Sequence, residues 1–214
     1  MAATAFELIG GHLALDFVNT VDWRGDPTRR RDLLVTFEDL LAWGKAAKVL
    51  TAGAVRAMRA AARQDQARAR RCLRRARRLR EVLARVLGAA GRDTPPADRD
   101  VGRLNVFLGA ALKRRRLEIR RTAFVWGWAD EEGDPFDSLL WPIVLAAAEL
   151  LASDRRTQIH ECGGEGCGWL FLDTSRNRRR RWCTMQGCGN RAKARRFYER
   201  IHEEKRAETN APTS

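Results

Sequence analysis

A mainly α-helical fold ending in a small cysteine-held finger is what this chain of 214 residues predicts. Three observations carry that expectation. Long segments between Thr36 and Ala152 repeat apolar residues at helical spacing, with turn chemistry between them. Strand-like alternation is confined to one hairpin-sized stretch around Thr122. Near the C-terminal end, Cys162, Cys167, Cys183 and Cys188 stand as C-x4-C-x15-C-x4-C, two tight thiol pairs joined by a short span.

The opening FELIGGHLALDFVNTVDW turns at Gly10-Gly11, and its Leu13, Leu15, Phe17 and Val18 are too apolar for a tail. It reads as an extended lead followed by a brief helix. The next helix starts at Thr36, which caps it with Asp39 three residues on, a capping box with Asp in place of Glu. Another is expected from Thr51 to Arg63. A long one from Asp65 to Ala90 carries Leu73, Ala76, Leu79, Val82, Leu83, Val86 and Leu87 on one stripe. Gly91 ends it, RDTPPAD loops, and Asp98 or Asp100 opens a helix through Leu104, Val106, Phe107, Leu108 and Leu112. RLEIRRTAFVWGWADEEGD then predicts a two-stranded hairpin. An apolar helix follows from Pro135 to Ala152, with Pro142 kinking it or marking its true start. Polar SDRRTQ divides the chain, giving an expected layout of a helical sensor or dimerisation unit at 1–154, a finger at 155–206 and a disordered tail at 207–214.

An apolar content of 44% is ordinary for a folded protein. No run of 18 apolar residues and no basic-then-apolar leader is present, so neither a membrane span nor a signal peptide is expected. The implied compartment is a reducing cytoplasm, where clustered thiols mean metal rather than disulfides. Cys72, alone in an arginine-rich helix, reads as an incidental thiol. The net charge of +14 favours an anionic partner, although 36 arginines against 5 lysines also fit a simple coding bias. Location is more telling. Residues 176–200 hold ten basic side chains and one acid, Glu199.

Zinc takes four soft ligands at about 2.3 Å, and two knuckles assemble four sulfurs without a large core. A complete shell of four thiolates leaves no open position for water, so the expected role is structural. His160 and His202 are set aside as rival ligands on the same ground. Trp169, Leu170 and Phe171 form a strand-like run, expected to face Trp182 across a hairpin. Cys188 is expected in the first turn of a helix that turns Phe197 and Ile201 inward against Trp169 and Trp182. Knuckle, hairpin and ligand-bearing helix are the order of a treble clef.

The segment CGWLFLDTSRNRRRRWCTMQGCGNRAKARRFYER, with its Cys188-Gly189-Asn190-Arg191 run, resembles the CGNR zinc finger. GGHLALDFVNT and LLWPIVLAAAELL resemble the opening and last helix of the ABATE-type domain found ahead of that finger in stress-responsive bacterial transcription regulators. The resemblance covers nearly the whole chain. It implies one structural zinc on Cys162, Cys167, Cys183 and Cys188, and regulation of transcription through DNA binding by the finger.

The candidate DNA contacts are Arg176, Arg178, Arg179, Arg180 and Arg181 in the loop, with Asn190, Arg191, Lys193, Arg195, Arg196 and Arg200 on the helix. Arginine's planar fork grips phosphate or reads guanine. Asn190 suits a helix cap or a sulfur hydrogen bond equally well. In the helical unit, Asp16, Asn19, Thr20 and Asn105 are candidates to line an effector pocket, the plainer reading being capping and backbone satisfaction. Trp126, Trp128 and Trp141 are expected in the core rather than on a planar ligand. Arg70, Arg71, Arg74, Arg77, Arg78 and Arg85 make a solvated helix face or an extension of the DNA surface. A small-molecule effector and a homodimer fit such a regulator. The alternatives are an RNA-binding or ribosome-associated zinc module, stacking bases on Trp169, Phe171 or Tyr198, and a protein–protein adaptor. Catalysis is not expected: there is no phosphate loop, nucleophile elbow or His-Glu-x-x-His, and His12 is the one candidate base in the helical unit.

Overall fold

The computed structural model describes residues 6–129 and 136–209. Seven α-helices and three separate antiparallel strand pairs make up the described chain. A brief helix α1 (Leu13–Val18) follows the glycine turn, and β1 (Val21–Asp22) pairs with β2 (Arg31–Asp32). Then come α2 (Phe37–Ala46), α3 (Ala52–Gln64), α4 (Gln66–Gly91) and α5 (Asp98–Leu112). The hairpin of β3 (Arg115–Arg120) and β4 (Ala123–Trp128) turns at Arg121 and Thr122. The last helix of this unit is α6 (Trp141–Ala152), and β5 (Ile159–Glu161), β6 (Leu170–Leu172) and α7 (Asn190–Thr209) complete the chain.

Local chemistry sets most of these boundaries. The Thr36 hydroxyl accepts the Asp39 N–H at 3.2 Å while the Asp39 carboxylate accepts the Thr36 N–H at 2.7 Å, so the capping box is complete. Asp65 caps α4 by accepting the Arg68 N–H at 2.8 Å. Pro142 lies in the first turn of α6, where its missing N–H removes no helical bond, and so marks the start of that helix rather than a kink. The preceding turn is a 3-10 turn at Asp137–Leu139, and Pro135, the expected helix start, lies outside the described residues. The tail expected to be disordered from 207 is helical to Thr209, and 210–214 lie outside the described residues.

Helix α4 is the spine of the core. Its Leu79, Leu83 and Leu87 are fully buried among Leu15 and Phe17 of α1, Trp43 of α2, and Ile143 and Ala147 of α6. The charged residues of the helix are not simply solvated. Arg80, 2% exposed, places its two terminal nitrogens 2.7 and 2.8 Å from the Asp32 carboxylate. It also donates to Glu81 at 3.2 Å and to the Thr20 hydroxyl at 3.2 Å. Glu81 in turn accepts from Arg24 at 2.6 Å. Burial alone would raise the Asp32 pKa, but hydrogen bonds and charge from Arg80 outweigh it and hold the carboxyl below its ordinary value. Of the expected arginine face, Arg77 donates to the Leu34 carbonyl at 2.8 Å and Arg85 grips Asp100 with two bonds of 2.8 Å. Much of α4's positive charge is thus held within the fold. No described helix is long and apolar enough to cross a membrane.

Candidate metal centre and nucleic-acid interface

The first knuckle hangs between β5 and β6, which pair Ile159 with Leu172 and Glu161 with Leu170. The partner of the Trp169–Phe171 run is therefore β5, not Trp182, because the chain doubles back across the first cysteine pair rather than across the arginine loop. The second pair also departs from expectation. Cys188 lies in a π-turn, Met185–Gly189, directly before α7 rather than in that helix's first turn. Thr184 caps the turn by accepting the Gly187 N–H at 3.0 Å, which leaves Asn190 exposed with no cap to make.

All four sulfurs are buried and lie within 4.8 Å of one another. The Cys167–Cys183 and Cys183–Cys188 sulfurs are 3.9 and 3.5 Å apart. A tetrahedron of zinc–sulfur bonds of about 2.3 Å has edges of about 3.8 Å, so the cage has the size zinc requires. Its electrostatics agree. The Cys162 thiol is pulled far down by hydrogen bonds from the Cys167 and Cys183 thiols, whose own values rise in answer. Sulfurs that suppress one another's ionisation in this way can all be thiolates only around a cation. The Gly164 and Cys183 N–H groups donate to the Cys162 sulfur at 3.4 and 3.2 Å, and Arg191 donates to that of Cys188 at 2.9 Å. Such outer partners offset the negative charge of a four-thiolate site. Gly164 has to be glycine, since a Cβ there would lie 2.7 Å from the Cys188 sulfur. The group contains no histidine: His160 stacks on Phe171, and His202 is exposed on α7.

The finger is joined to the helical unit through backbone groups. The Asn19 amide closes on Leu170 in both directions, accepting its N–H at 2.9 Å and donating to its carbonyl at 2.8 Å. Trp169 donates its indole N–H to the Val21 carbonyl at 2.9 Å, and the Arg24 N–H reaches the Cys167 carbonyl at 3.0 Å. At Gly168, φ is +65° and a Cβ would lie 2.9 Å from that of Arg24, so glycine permits this approach. Ile159, Leu170 and Leu172 belong to the same buried cluster as the helices. One core therefore runs across SDRRTQ, whose Asp154–Gln158 stretch forms a 3-10 turn.

Of the four residues considered for an effector pocket, Asp16, Asn19 and Thr20 sit together on and just after α1 but each serves a backbone group. Asp16 accepts the Gly10 N–H at 2.7 Å, and burial raises its pKa to about 6. Thr20 donates to the Phe17 carbonyl, and Asn105 is exposed on α5. A cavity of about 620 Å³, lined by none of these four, lies between the end of α4, Pro95-Pro96, Leu151, Arg156 and His160. Replacing Asn19 by Ala leaves the buried Leu170 N–H and carbonyl without partners, at an expected loss of about 3 kcal/mol. Chemical denaturation of the zinc-loaded chain measures it, and a loss below about 1 kcal/mol, the level of one ordinary hydrogen bond, would contradict this role for Asn19.

The basic candidates divide by what holds them. Arg180 is structural: it donates to the Trp182 carbonyl at 2.9 Å and to that of Cys183, and lies over the Phe171 ring at 4.3 Å. Arg191 serves the metal site and stacks on Trp23 at 4.9 Å, while Arg195 pairs with Glu165 and Glu199. Arg196 donates to the Ala192 carbonyl at 3.3 Å, and Arg181 stacks on Trp182. Arg176, Arg178, Arg179 and Lys193 are exposed and hold no partner among the described residues, and Arg200 is exposed on the next turns of α7. A groove of about 520 Å³ beside the loop is lined by Ser175, Arg176, Arg179, Trp182 and Met185. Phe197 and Tyr198, 51% and 62% exposed, correct the expectation that Phe197 packs inward, and Ile201 is half-buried. Ala192 in the first turn of α7 is buried against the finger, Arg195 on the second turn reaches back to Glu165, and beyond it the helix carries exposed residues. Trp169 and Phe171 are buried instead.

Trp23 carries no motif of its own in the sequence, and the DWRG turn containing it is the one available signal. Its φ is +52°, and Arg29 covers its ring at 3.2 Å on the way to Arg191. The spacing from Cys188 to Arg191, one helical turn, is likewise a readable sign of support for the metal.

Residues 11–154 match the family described as "ABATE: Putative stress-induced transcription regulator", and residues 158–201 match the CGNR zinc finger. No curated protein matches the chain. The finger match and the four-thiol cage agree on one structural zinc.

Proposed function

The chain belongs to the ABATE family and carries a CGNR zinc finger, and on that premise we propose that it regulates transcription by binding DNA through the finger. One observation supports this above the others: Arg176, Arg178, Arg179 and Lys193 stand exposed around a zinc-held platform, with no partner among the described residues. Cations on a rigid base meet phosphate at little ordering cost, and neutralising phosphates releases counterions. Arg200 and Arg196 extend the same surface along α7, and Asn190, exposed at the head of that helix, is available to a base edge. Arg180, Arg191 and Arg195 support this surface more than they contact DNA.

In this reading the helical unit senses a signal or dimerises, and the protein is not an enzyme. A small effector has room in the cavity beside Pro95-Pro96, whose size is that of ordinary ligand sites. The protein acts in a reducing cytoplasm, where four thiolates remain available to zinc.

The test is duplex binding across a salt series with Arg176, Arg178 and Arg179 replaced by Ala. The slope of log affinity on log salt should fall by about 0.9 for each phosphate that is no longer neutralised, roughly 2 to 3 in all. Zinc content should stay at one per chain. An unchanged slope removes this loop from the interface. The exposed Phe197 and Tyr198 support one second reading, RNA binding by stacking of unpaired bases. Preference for single-stranded RNA over duplex in the same titration would favour it. Loss of binding to bulk DNA at physiological salt would favour a protein adaptor.

A further inference from the structure

The β3–β4 hairpin presents an apolar face that the other described residues leave uncovered. Leu117 and Ile119 alternate along β3, directly opposite Trp126 and Phe124 of β4, so the four share one face. They are 58%, 69%, 60% and 74% exposed, in that order. The other face carries Arg116, Glu118 and Arg120, with Glu118 paired to both arginines at 3.5 and 3.2 Å. A sheet that is charged on one side and apolar on the other normally buries the apolar side. The base of the hairpin is anchored, because Trp128 packs on Trp141 with ring centres 5.3 Å apart. A two-stranded hairpin standing alone is only marginally stable in water. An uncovered row of this kind marks an interaction surface.

We propose that this face is the dimer interface and that a second copy of the chain covers it. The reading deepens the proposed function, in that it rests on the helical unit being the dimerising part. Three features of the face select a copy of itself. Its rows differ, aliphatic on β3 and aromatic on β4. A two-fold axis parallel to the strands lays each copy's Leu117 on the other's Trp126, and each Ile119 on the other's Phe124. Second, the face carries a single charge, too little to select an oppositely charged partner. Arg115, the one charged residue on it, stacks on Trp126 and Trp128 at 5.1 and 4.6 Å. Third, the area suffices. With about 200 Å² per large aromatic and somewhat less per aliphatic side chain, the four expose on the order of 500 Å². Two copies then bury roughly 1,000 Å², where specific interfaces begin. The charged faces, with Arg116 and Arg120, point away from each other in this arrangement. Two fingers carried on one dimer would suit a target with two half-sites.

Sedimentation velocity of the zinc-loaded full chain, without DNA, tests the proposal. The wild type should rise to twice 24.3 kDa as concentration increases. Phe124→Glu combined with Trp126→Glu should stay at the single-chain mass with its zinc content and helical circular dichroism unchanged. A wild type that is monomeric at every concentration overturns the proposal and leaves the face to a different protein. So does a double variant that still dimerises. Hydrogen exchange of the wild type at low and high concentration gives an answer independent of any variant. Residues 115–128 should gain protection on association, and protection gained only elsewhere also overturns it. A dimer that ignores DNA keeps this interface and removes the DNA reading, while a monomer that binds DNA does the reverse.

Discussion

Cys183→Ser, or removal of zinc by a chelator, is expected to unfold the finger and to lower the stability of the entire chain. The small cluster around the site contains little besides the four cysteines, Trp169 and Phe171 as buried residues. So few apolar groups cannot hold a fold, whereas a structural zinc contributes about 10–16 kcal/mol, as much as the whole stability of a typical domain. The consequences extend into the helical unit, because Leu170 and Leu172 sit in its core and Asn19 depends on Leu170 for both ends of its amide. Zinc content should fall from one per chain to none and the melting temperature should drop, with most helical signal retained at low temperature. Cys72→Ala should leave zinc at one per chain, since Cys72 is buried against Phe136 in the helical core, apart from the four ligands. A chain that loses its zinc and keeps its melting temperature would overturn the structural role.

The second large effect is expected from Arg80→Ala. The substitution takes the two-bond grip of Arg80 from the Asp32 carboxylate, which keeps only Arg77 at 3.4 Å and the Leu34 N–H, and leaves Glu81 and the Thr20 hydroxyl each without one donor. Breaking a buried ion pair costs about 3–5 kcal/mol, and partial exposure of Asp32 puts this case at about 3. Asp32 titrates below its ordinary 3.8 in the folded chain, so its pairing stabilises fully above that value and is lost as the pH falls through the folded pKa. The gap between wild type and variant should therefore narrow on acidification below about pH 4. Denaturation at neutral pH and at pH 3 measures both parts. A gap under about 1 kcal/mol at neutral pH, the worth of a surface pair, would show that the network is ornamental.

Much of the fold was legible residue by residue. The Thr36–Asp39 box, the helix start at Asp65 and the proline opening α6 each act through bonds a few residues away and stand where their chemistry requires, whereas Gly91 is the last residue of α4 and the left-handed turn falls on Asp93. The four zinc ligands were legible for the same reason, since two short knuckles bring their sulfurs close whatever surrounds them. Phe197 misled because helical spacing says which residues share a face but not whether anything lies opposite that face. The pairing of β6 was missed because three-residue strands carry almost no alternation. That Asp16, Asn19 and Thr20 satisfy backbone groups was the plainer reading, but which groups they serve was not legible, because a buried amide bonded to a distant strand has no local signature.

The sequence by itself determined the helical class, most helix boundaries, the four ligands and the abundance of arginine, because capping, periodicity and ligand spacing are short-range effects. Tertiary structure alone decided which arginines are free. Arg80 and Arg180 differ from Arg178 and Arg179 in nothing but their surroundings, and those surroundings are assembled from remote parts of the chain. It also decided that the finger shares the helical core, through an amide and a strand 151 positions apart. Burial and pairing are properties of proximity in space, and residues become neighbours across such separations only when the whole chain has folded.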